Sequence, residues 1–142
     1  MIVYADSSFL VSLYTVDAHS VEARRRMAFK PIVWPTPLNR TEIAQALYRQ
    51  VFRGRITSSD ASLAWKNFEE DCAARVWLLV DLPEQTWETC IGLAQRFGPS
   101  LGVRTLDSLH VACALELKAE RFWTFDERQA KLAEAAGLDT RA

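Results

Sequence analysis

Short apolar runs alternate along the chain with longer segments whose apolar residues recur at helical spacing. Four runs rich in strand-forming residues predict buried strands, at Met1–Ala5, Pro31–Trp34, Arg75–Val80 and Phe122–Phe125. Pro35 ends the second run, because proline has no backbone amide to continue a ladder of hydrogen bonds.

The segments between these runs predict helices. Ala61, Trp65 and Phe68 follow the spacing of one buried helical face, and Thr36-Pro37 is typical of a helix start. A first helix follows Asp6-Ser-Ser8, and the other predicted helices are Ser20 to Ala28, Pro37 to Arg53, one from about Thr57, Pro83 to Gly98, Thr105 to Leu117, and Glu127 to Ala136.

This alternation, without repeats or linkers, predicts a single α/β domain over residues 1–142. Right-handed crossovers between the strands favour a short, mainly parallel central sheet with helices on both faces.

Composition limits the possible functions. The 142 residues include 17 Lys and Arg against 18 Asp and Glu, so a polybasic mode of nucleic-acid binding is excluded and any such contact must be local. No apolar run is long enough for a membrane span or a signal peptide, so we expect a soluble, cytoplasmic protein. Three cysteines without a C-x-x-C pair and two histidines do not make a convincing zinc site.

Two acidic residues lie where chemistry collects in such folds, at the carboxyl ends of predicted strands, and two more lie near the starts of predicted helices. Asp6 and Asp126 directly follow strands, Glu42 lies near the start of the Pro37 helix, and Asp107 lies just inside the Thr105 helix.

Each acid has a structural alternative. Asp6 and Asp126 are also suited to cap helices, and Asp107 suits the positive end of a helix dipole. Glu42 is harder to explain in this way, because no cation lies three or four residues away from it. Its apolar neighbours predict that it packs against the body, where it needs a distant cation or a metal ion.

Four segments together resemble the PIN domain, and more narrowly the VapC-type ribonuclease toxins of bacterial toxin–antitoxin pairs. They are Tyr4–Leu10, Asn39–Leu47, Thr105–Leu115 and Phe122–Arg128, followed by Gly137-Leu138. The resemblance extends from residue 2 to residue 138 and implies a PIN-like three-layer α/β/α domain. Because little sequence follows Gly137-Leu138, we expect the family's final edge strand to be short or absent.

The resemblance also implies the site. It assigns metal binding and catalysis to four acids, Asp6, Glu42, Asp107 and Asp126. Ser7 and Thr124 fall where the family often has a small hydroxyl residue, and we place both among the substrate-binding residues. The family further implies a homodimer, a cognate small antitoxin protein, and hydrolysis of RNA to a 5′-phosphate and a 3′-hydroxyl.

An all-carboxylate set suits this chemistry. Mg²⁺ and Mn²⁺ prefer hard oxygen ligands, and such ions activate water and stabilise charge on a phosphate. Arg104, three residues before Asp107, is the best candidate for a phosphate contact. His19 is assigned to a polar loop, and His110 is interpreted as a packed helix residue outside the site.

Two alternatives remain. The chain could be a PIN-domain nuclease of RNA processing that has no antitoxin, or a catalytically silent PIN fold that only binds. Four retained acids argue against the silent fold, because clustered carboxylates repel one another unless a cation neutralises them.

Overall fold

The central sheet consists of three short parallel strands. In the computed structural model, which describes residues 1–142, they are β1 (Ile2–Ala5), β2 (Ile32–Val33) and β3 (Arg121–Trp123). Their order is β2-β1-β3, and Val3 of the central strand is paired with Val33 on one side and with Arg121 on the other. The mainly parallel sheet predicted from the sequence is confirmed.

Seven helices surround this sheet. They are α1 (Ser7–Tyr14), α2 (Ser20–Met27), α3 (Pro37–Phe52), α4 (Ser58–Ala73), α5 (Thr86–Leu101), α6 (Thr105–Glu116) and α7 (Glu127–Ala135). The helix starts follow local chemistry: the side chains of Asp6 and Asp126 cap α1 and α7, and Pro37 lies in the first turn of α3. None of the helices is both long and apolar enough to span a bilayer.

The side chains of β1 point alternately into two separate cores. Val3 and Ala5 pack into a core built mainly from α1 to α4, whereas Tyr4 packs into a core of α5, α6 and α7. Tyr4 stacks on Phe122 of the neighbouring strand with 5.4 Å between the ring centres. Helices therefore cover both faces of the sheet, as the period of two along a strand requires, which confirms the three-layer architecture.

The predicted strand at Arg75–Val80 is wrong, because this segment begins with a turn and a bend and joins no sheet. Arg75 adopts a left-handed backbone conformation with φ of 62°, which turns the chain away from the end of α4. The Val80 amide reaches only the carbonyl of Pro35, a residue that cannot donate a bond in return. Of the apolar residues in the segment, Trp77 alone is inserted deep into the core.

The limits predicted for the fifth helix are also wrong at both ends. It begins at Thr86, after a turn in which the Thr86 amide donates to the Pro83 carbonyl. It continues through Pro99 and ends at Gly102, whose left-handed conformation forms the C-cap. A glycine able to adopt this conformation, not the proline, terminates the helix.

The chain after α7 runs along the free edge of β3 without becoming a strand. The Phe122 amide donates to the Asp139 carbonyl at 2.8 Å, and Arg121 forms an ion pair with Asp139 at 2.9 Å. The indole of Trp123 donates to the Arg141 carbonyl at 3.0 Å. These contacts cover the edge of the sheet.

Replacing Tyr14 by Phe tests how the segment around Trp77 is held. The Tyr14 hydroxyl donates to Asp71 and accepts the indole N–H of Trp77, both at 2.5 Å. Without it the buried N–H loses its partner, so we expect Tyr14→Phe to lower the free energy of unfolding by about 1–3 kcal/mol in urea titrations.

The matched control is Tyr48→Phe. The Tyr48 ring is exposed and its hydroxyl makes only a long contact of 3.4 Å with Ser62, so this change should cost less than about 0.5 kcal/mol. Equal losses in the two variants would show that the Tyr14 hydroxyl does not hold this segment.

Candidate active site

A polar cavity of about 540 Å³ opens where the carboxyl ends of β1 and β3 meet the first turns of α1, α6 and α7. All four acids singled out in the sequence line it. The lining residues are Asp6, Ser7, Ser8, Glu42, Arg49, Arg104, Thr105, Leu106, Asp107, His110, Asp126 and Gln129. The fold therefore gathers residues from four distant segments around one cavity.

Asp6 is the most constrained of the four acids. One carboxylate oxygen accepts the Phe9 amide at 3.0 Å and the Ser8 hydroxyl at 2.7 Å, and the other accepts the Thr124 hydroxyl at 2.5 Å. The side chain is only 4% exposed, and this burial raises the pKa of Asp6 although the three hydrogen bonds act to lower it. Asp6 is thus both a helix cap and a wall of the cavity.

Asp107 lies deep in the same cavity, on the first turn of α6. Its Oδ2 accepts the Arg104 amide at 3.3 Å, and the Arg104 guanidinium is 3.6 Å away. Because the Arg104 side chain is mostly exposed, this ion pair stabilises the fold little and leaves the arginine able to contact other anions. Gln129 donates weakly, at 3.4 Å, to the other oxygen of Asp107.

Glu42 does have a partner, which comes from a distant helix. The Nε2 atom of His110 contacts its Oε1 atom, and the Ser7 hydroxyl donates to the same oxygen at 2.8 Å. Burial alone would raise the pKa of Glu42, but the hydrogen bond and charge of His110, together with Ser7, outweigh it and lower that pKa.

The interpretation of His110 as a residue outside the site is therefore wrong. Its ring is buried, as expected of a packed helix residue, yet it lines the cavity. The signal in the sequence is its position three residues after Asp107, which places both side chains on one face of α6.

Asp126 stands at the mouth of the site as the cap of α7. Its Oδ1 accepts the amides of Arg128 at 2.9 Å and Gln129 at 3.1 Å. The Thr124 hydroxyl accepts the Asp126 amide at 3.0 Å while it donates to Asp6, so it links the two acids. Thr124 does not itself line the cavity and lies behind Asp6, whereas Ser7, Arg104 and the four acids line it.

The donor set fits a hard divalent cation. The cavity offers carboxylate oxygens and no thiol, and a buried amide oxygen of Gln129 has no hydrogen-bond partner. No three Asp, Glu, His or Cys side chains stand at a spacing that would hold one ion between them. Mg²⁺ needs no such cage, because it commonly binds through one or two carboxylates and keeps several waters.

A second cavity, of about 620 Å³, adjoins the first and shares Arg104 and Asp126 with it. Arg128 and Lys131 contribute two further cations to its wall, and Glu127 contributes one carboxylate. Positively charged side chains therefore extend from the acidic cavity along the first two turns of α7, and an anionic chain could bind along them.

Comparison with known proteins identifies a family at the level of sequence. The profile of the PIN domain matches residues 3–135. A search of curated proteins finds no significant match.

Solved structures with the same fold cover nearly the whole chain. A crystal structure of VapC20 from Mycobacterium tuberculosis, described as a toxin that cleaves the sarcin–ricin loop, is 20% identical with a TM-score of 0.71, over 96% of this chain and 95% of that one. VapBC2 from Rickettsia felis, bound to a promoter DNA fragment, is 10% identical with a TM-score of 0.71, over 99% and 98%. FitAcB from Neisseria gonorrhoeae is 10% identical with a TM-score of 0.63, over 100% and 97%.

The raised pKa of Asp6 leads to a prediction on stability. A carboxyl group whose pKa is raised on folding favours the fold while it is protonated, and this contribution is lost as the pH rises through the folded-state value. Asn caps helices about as well as Asp. In chelator we therefore expect Asp6→Asn to melt above wild type at pH 7, with the difference closing as the pH falls below the ordinary pKa of aspartate.

Thermal melting of both proteins from pH 3 to pH 8 measures this difference. Asp81→Asn, at an exposed aspartate without a hydrogen bond or ion pair, serves as the control and should track wild type. A difference between Asp6→Asn and wild type that does not change with pH would contradict a buried ionised Asp6.

Proposed function

The chain belongs to the PIN domain family, and on this basis we propose that it is a Mg²⁺- or Mn²⁺-dependent endoribonuclease and the toxin of a type II toxin–antitoxin system. The observation that carries the proposal is the convergence of four carboxylates, from separate parts of the sequence, on one polar cavity. Such a set of oxygen donors is typical of enzymes that use hard divalent ions on phosphate esters.

Nucleases of this family generally use divalent metals. We propose that Asp6, Glu42, Asp107 and Asp126 hold the ion or the waters around it, with Asp6 and Asp107 deepest. A bound ion of this kind supplies activation of a water and stabilisation of negative charge on the phosphate. The hydrogen bonds to Asp6 fix its carboxylate in the cavity wall and oppose the rise in its pKa that burial causes.

The substrate we propose is RNA, cut by hydrolysis to a 5′-phosphate and a 3′-hydroxyl. Arg104 lies between the two cavities and is mostly exposed, so it is suited to bind a phosphate next to the scissile bond. Arg128 and Lys131 can bind the adjoining backbone, and Ser7 can accept a hydrogen bond from substrate while it donates to Glu42. We propose that Thr124 supports Asp6 instead of touching the substrate.

The proposal of a toxin rests on resemblance. The motifs resemble those of VapC-type toxins, and the fold is shared with VapC20, a toxin that acts on the sarcin–ricin loop. The likeness to VapBC2 and FitAcB supports a cognate small antitoxin protein as partner. We also propose a homodimer and a cytoplasmic location, where RNA targets are found.

A PIN-domain nuclease of RNA processing, without an antitoxin, is the second candidate, because it would need the same four carboxylates. The neighbouring reading frame distinguishes the two, since a toxin of this type is encoded beside a short partner gene. A silent binding fold is disfavoured by the burial of Asp6 and Asp107 together, an arrangement that is costly without a function for their charges.

The proposed reaction leads to a prediction on RNA cleavage. Purified wild-type protein should cleave structured RNA in Mn²⁺, and excess chelator should abolish cleavage. Asp107→Asn should lower the cleavage rate by about 100-fold or more, because it removes a charge from the deepest part of the site. Gel analysis of end-labelled RNA measures the rate and the end chemistry.

Asp81→Asn is the matched control for the change of charge and should cleave like wild type, since Asp81 lies outside the site cavity. Cleavage that persists in chelator would rule out the metal mechanism. Full activity of Asp107→Asn would rule out the assignment of the site.

Expression in cells separates the toxin from the processing enzyme. Wild-type protein expressed alone should arrest growth, and Glu42→Gln should relieve the arrest while circular dichroism shows that it stays folded. A wild-type protein that cleaves RNA in vitro but leaves growth unchanged would favour the processing enzyme.

A further inference from the structure

A buried chain of polar groups lies behind Glu42. The imidazole of His110, only 2% exposed on α6, contacts Glu42 through Nε2 and the hydroxyl of Tyr4 through Nδ1, the latter at 2.7 Å. Tyr4 is itself fully packed, between the His110 ring and Phe122. The site therefore includes a chain of hydrogen-bonded side chains that extends from Tyr4 in the central strand, through His110, to Glu42 in the cavity wall.

Of the two neutral tautomers of the His110 imidazole, only the one protonated at Nε2 satisfies both contacts. In this tautomer Nδ1 accepts a hydrogen bond from the Tyr4 hydroxyl, and Nε2 carries the single N–H of the ring and donates a hydrogen bond to the Glu42 carboxylate. Tyr4 thus selects the tautomer that presents a donor to Glu42.

The two donors to Glu42 both engage one oxygen. His110 and Ser7 meet Oε1, whereas Oε2 makes no hydrogen bond to the protein. The Glu42 side chain is 26% exposed and lines the cavity. Two donors arriving from α6 and α1 restrict rotation of the carboxylate and leave its second oxygen free.

We propose that His110 is a positioning residue that holds Glu42 for cation binding, with Tyr4 fixing the orientation of the imidazole. The inference rests on the proposed function, since it concerns the same site. His110 does not touch substrate in this role and acts only through Glu42. Partners of this kind behind a ligating carboxylate typically raise cation affinity by 10- to 100-fold.

The test is the affinity of RNA-free protein for Mn²⁺, measured from the rise in melting temperature over a titration with the metal. His110→Ala should bind Mn²⁺ about 10-fold more weakly than wild type or worse. His110→Gln should stay within about threefold, because its amide N–H can donate to Glu42 over a similar reach. Val111→Ala, a buried change on the same helix that does not contact Glu42, controls for general loss of stability and should keep the wild-type affinity.

A purely structural role would move the melting temperature of the metal-free protein but not this affinity. A further arm uses the Glu42→Gln background, in which adding His110→Ala should weaken Mn²⁺ binding by less than about twofold, because the two residues act as one unit. If His110→Ala does not fold, Tyr4→Phe takes its place. This variant keeps the imidazole of His110, and its loss of Mn²⁺ affinity should lie between those expected for His110→Gln and His110→Ala.

The outcomes separate this inference from the proposed function. Wild-type protein that cleaves RNA and binds Mn²⁺, together with a His110→Ala or Tyr4→Phe variant of unchanged affinity, would overturn the role of His110 alone. Wild-type protein that neither binds Mn²⁺ nor cleaves RNA would overturn both. Selective loss in His110→Ala with recovery in His110→Gln supports the positioning role.

Discussion

The carboxylate of Asp6 is buried where β1 ends, and the geometry of the site depends on how it is held. The Asp6 amide donates to the carbonyl of Trp123 in β3, and its side chain accepts from Thr124 and from the first turn of α1. One residue thus joins the two strands and starts the first helix. Its charge is tolerated in a buried position because three donors satisfy its oxygens.

The positions of the other three acids depend on how the strands and helices meet at this end of the sheet. Parallel strands bring their carboxyl ends to one edge of the sheet, and the helices that begin there place their amino ends around the cavity. Asp126 and Asp107 lie on such amino ends, where the helix dipole and free amides favour negative charge. Glu42 is held differently, by the Ser7 hydroxyl and the His110 imidazole.

Much of the fold and part of the site could be predicted from the sequence, since they depend on the local pattern of apolar and polar residues. The position of Asp6 follows from the sequence because a buried strand ends directly in front of it, whereas β3 ends at Trp123, three residues before Asp126. The Arg75–Val80 segment misled because its apolar composition resembles a strand, whereas burial of Trp77 and a lack of ladder partners decide its conformation. The contact between His110 and Glu42 joins residues 68 positions apart, so no helical spacing could pair them.

We propose that the four carboxylates form one site for a divalent cation. Anomalous scattering at the manganese edge, from crystals of the wild-type protein grown in Mn²⁺, tests it most directly. We expect a peak inside the cavity, within coordination distance of a carboxylate oxygen of Asp6 or Asp107. A cavity that stays empty at millimolar Mn²⁺, or peaks confined to carboxylates elsewhere on the surface, would contradict it.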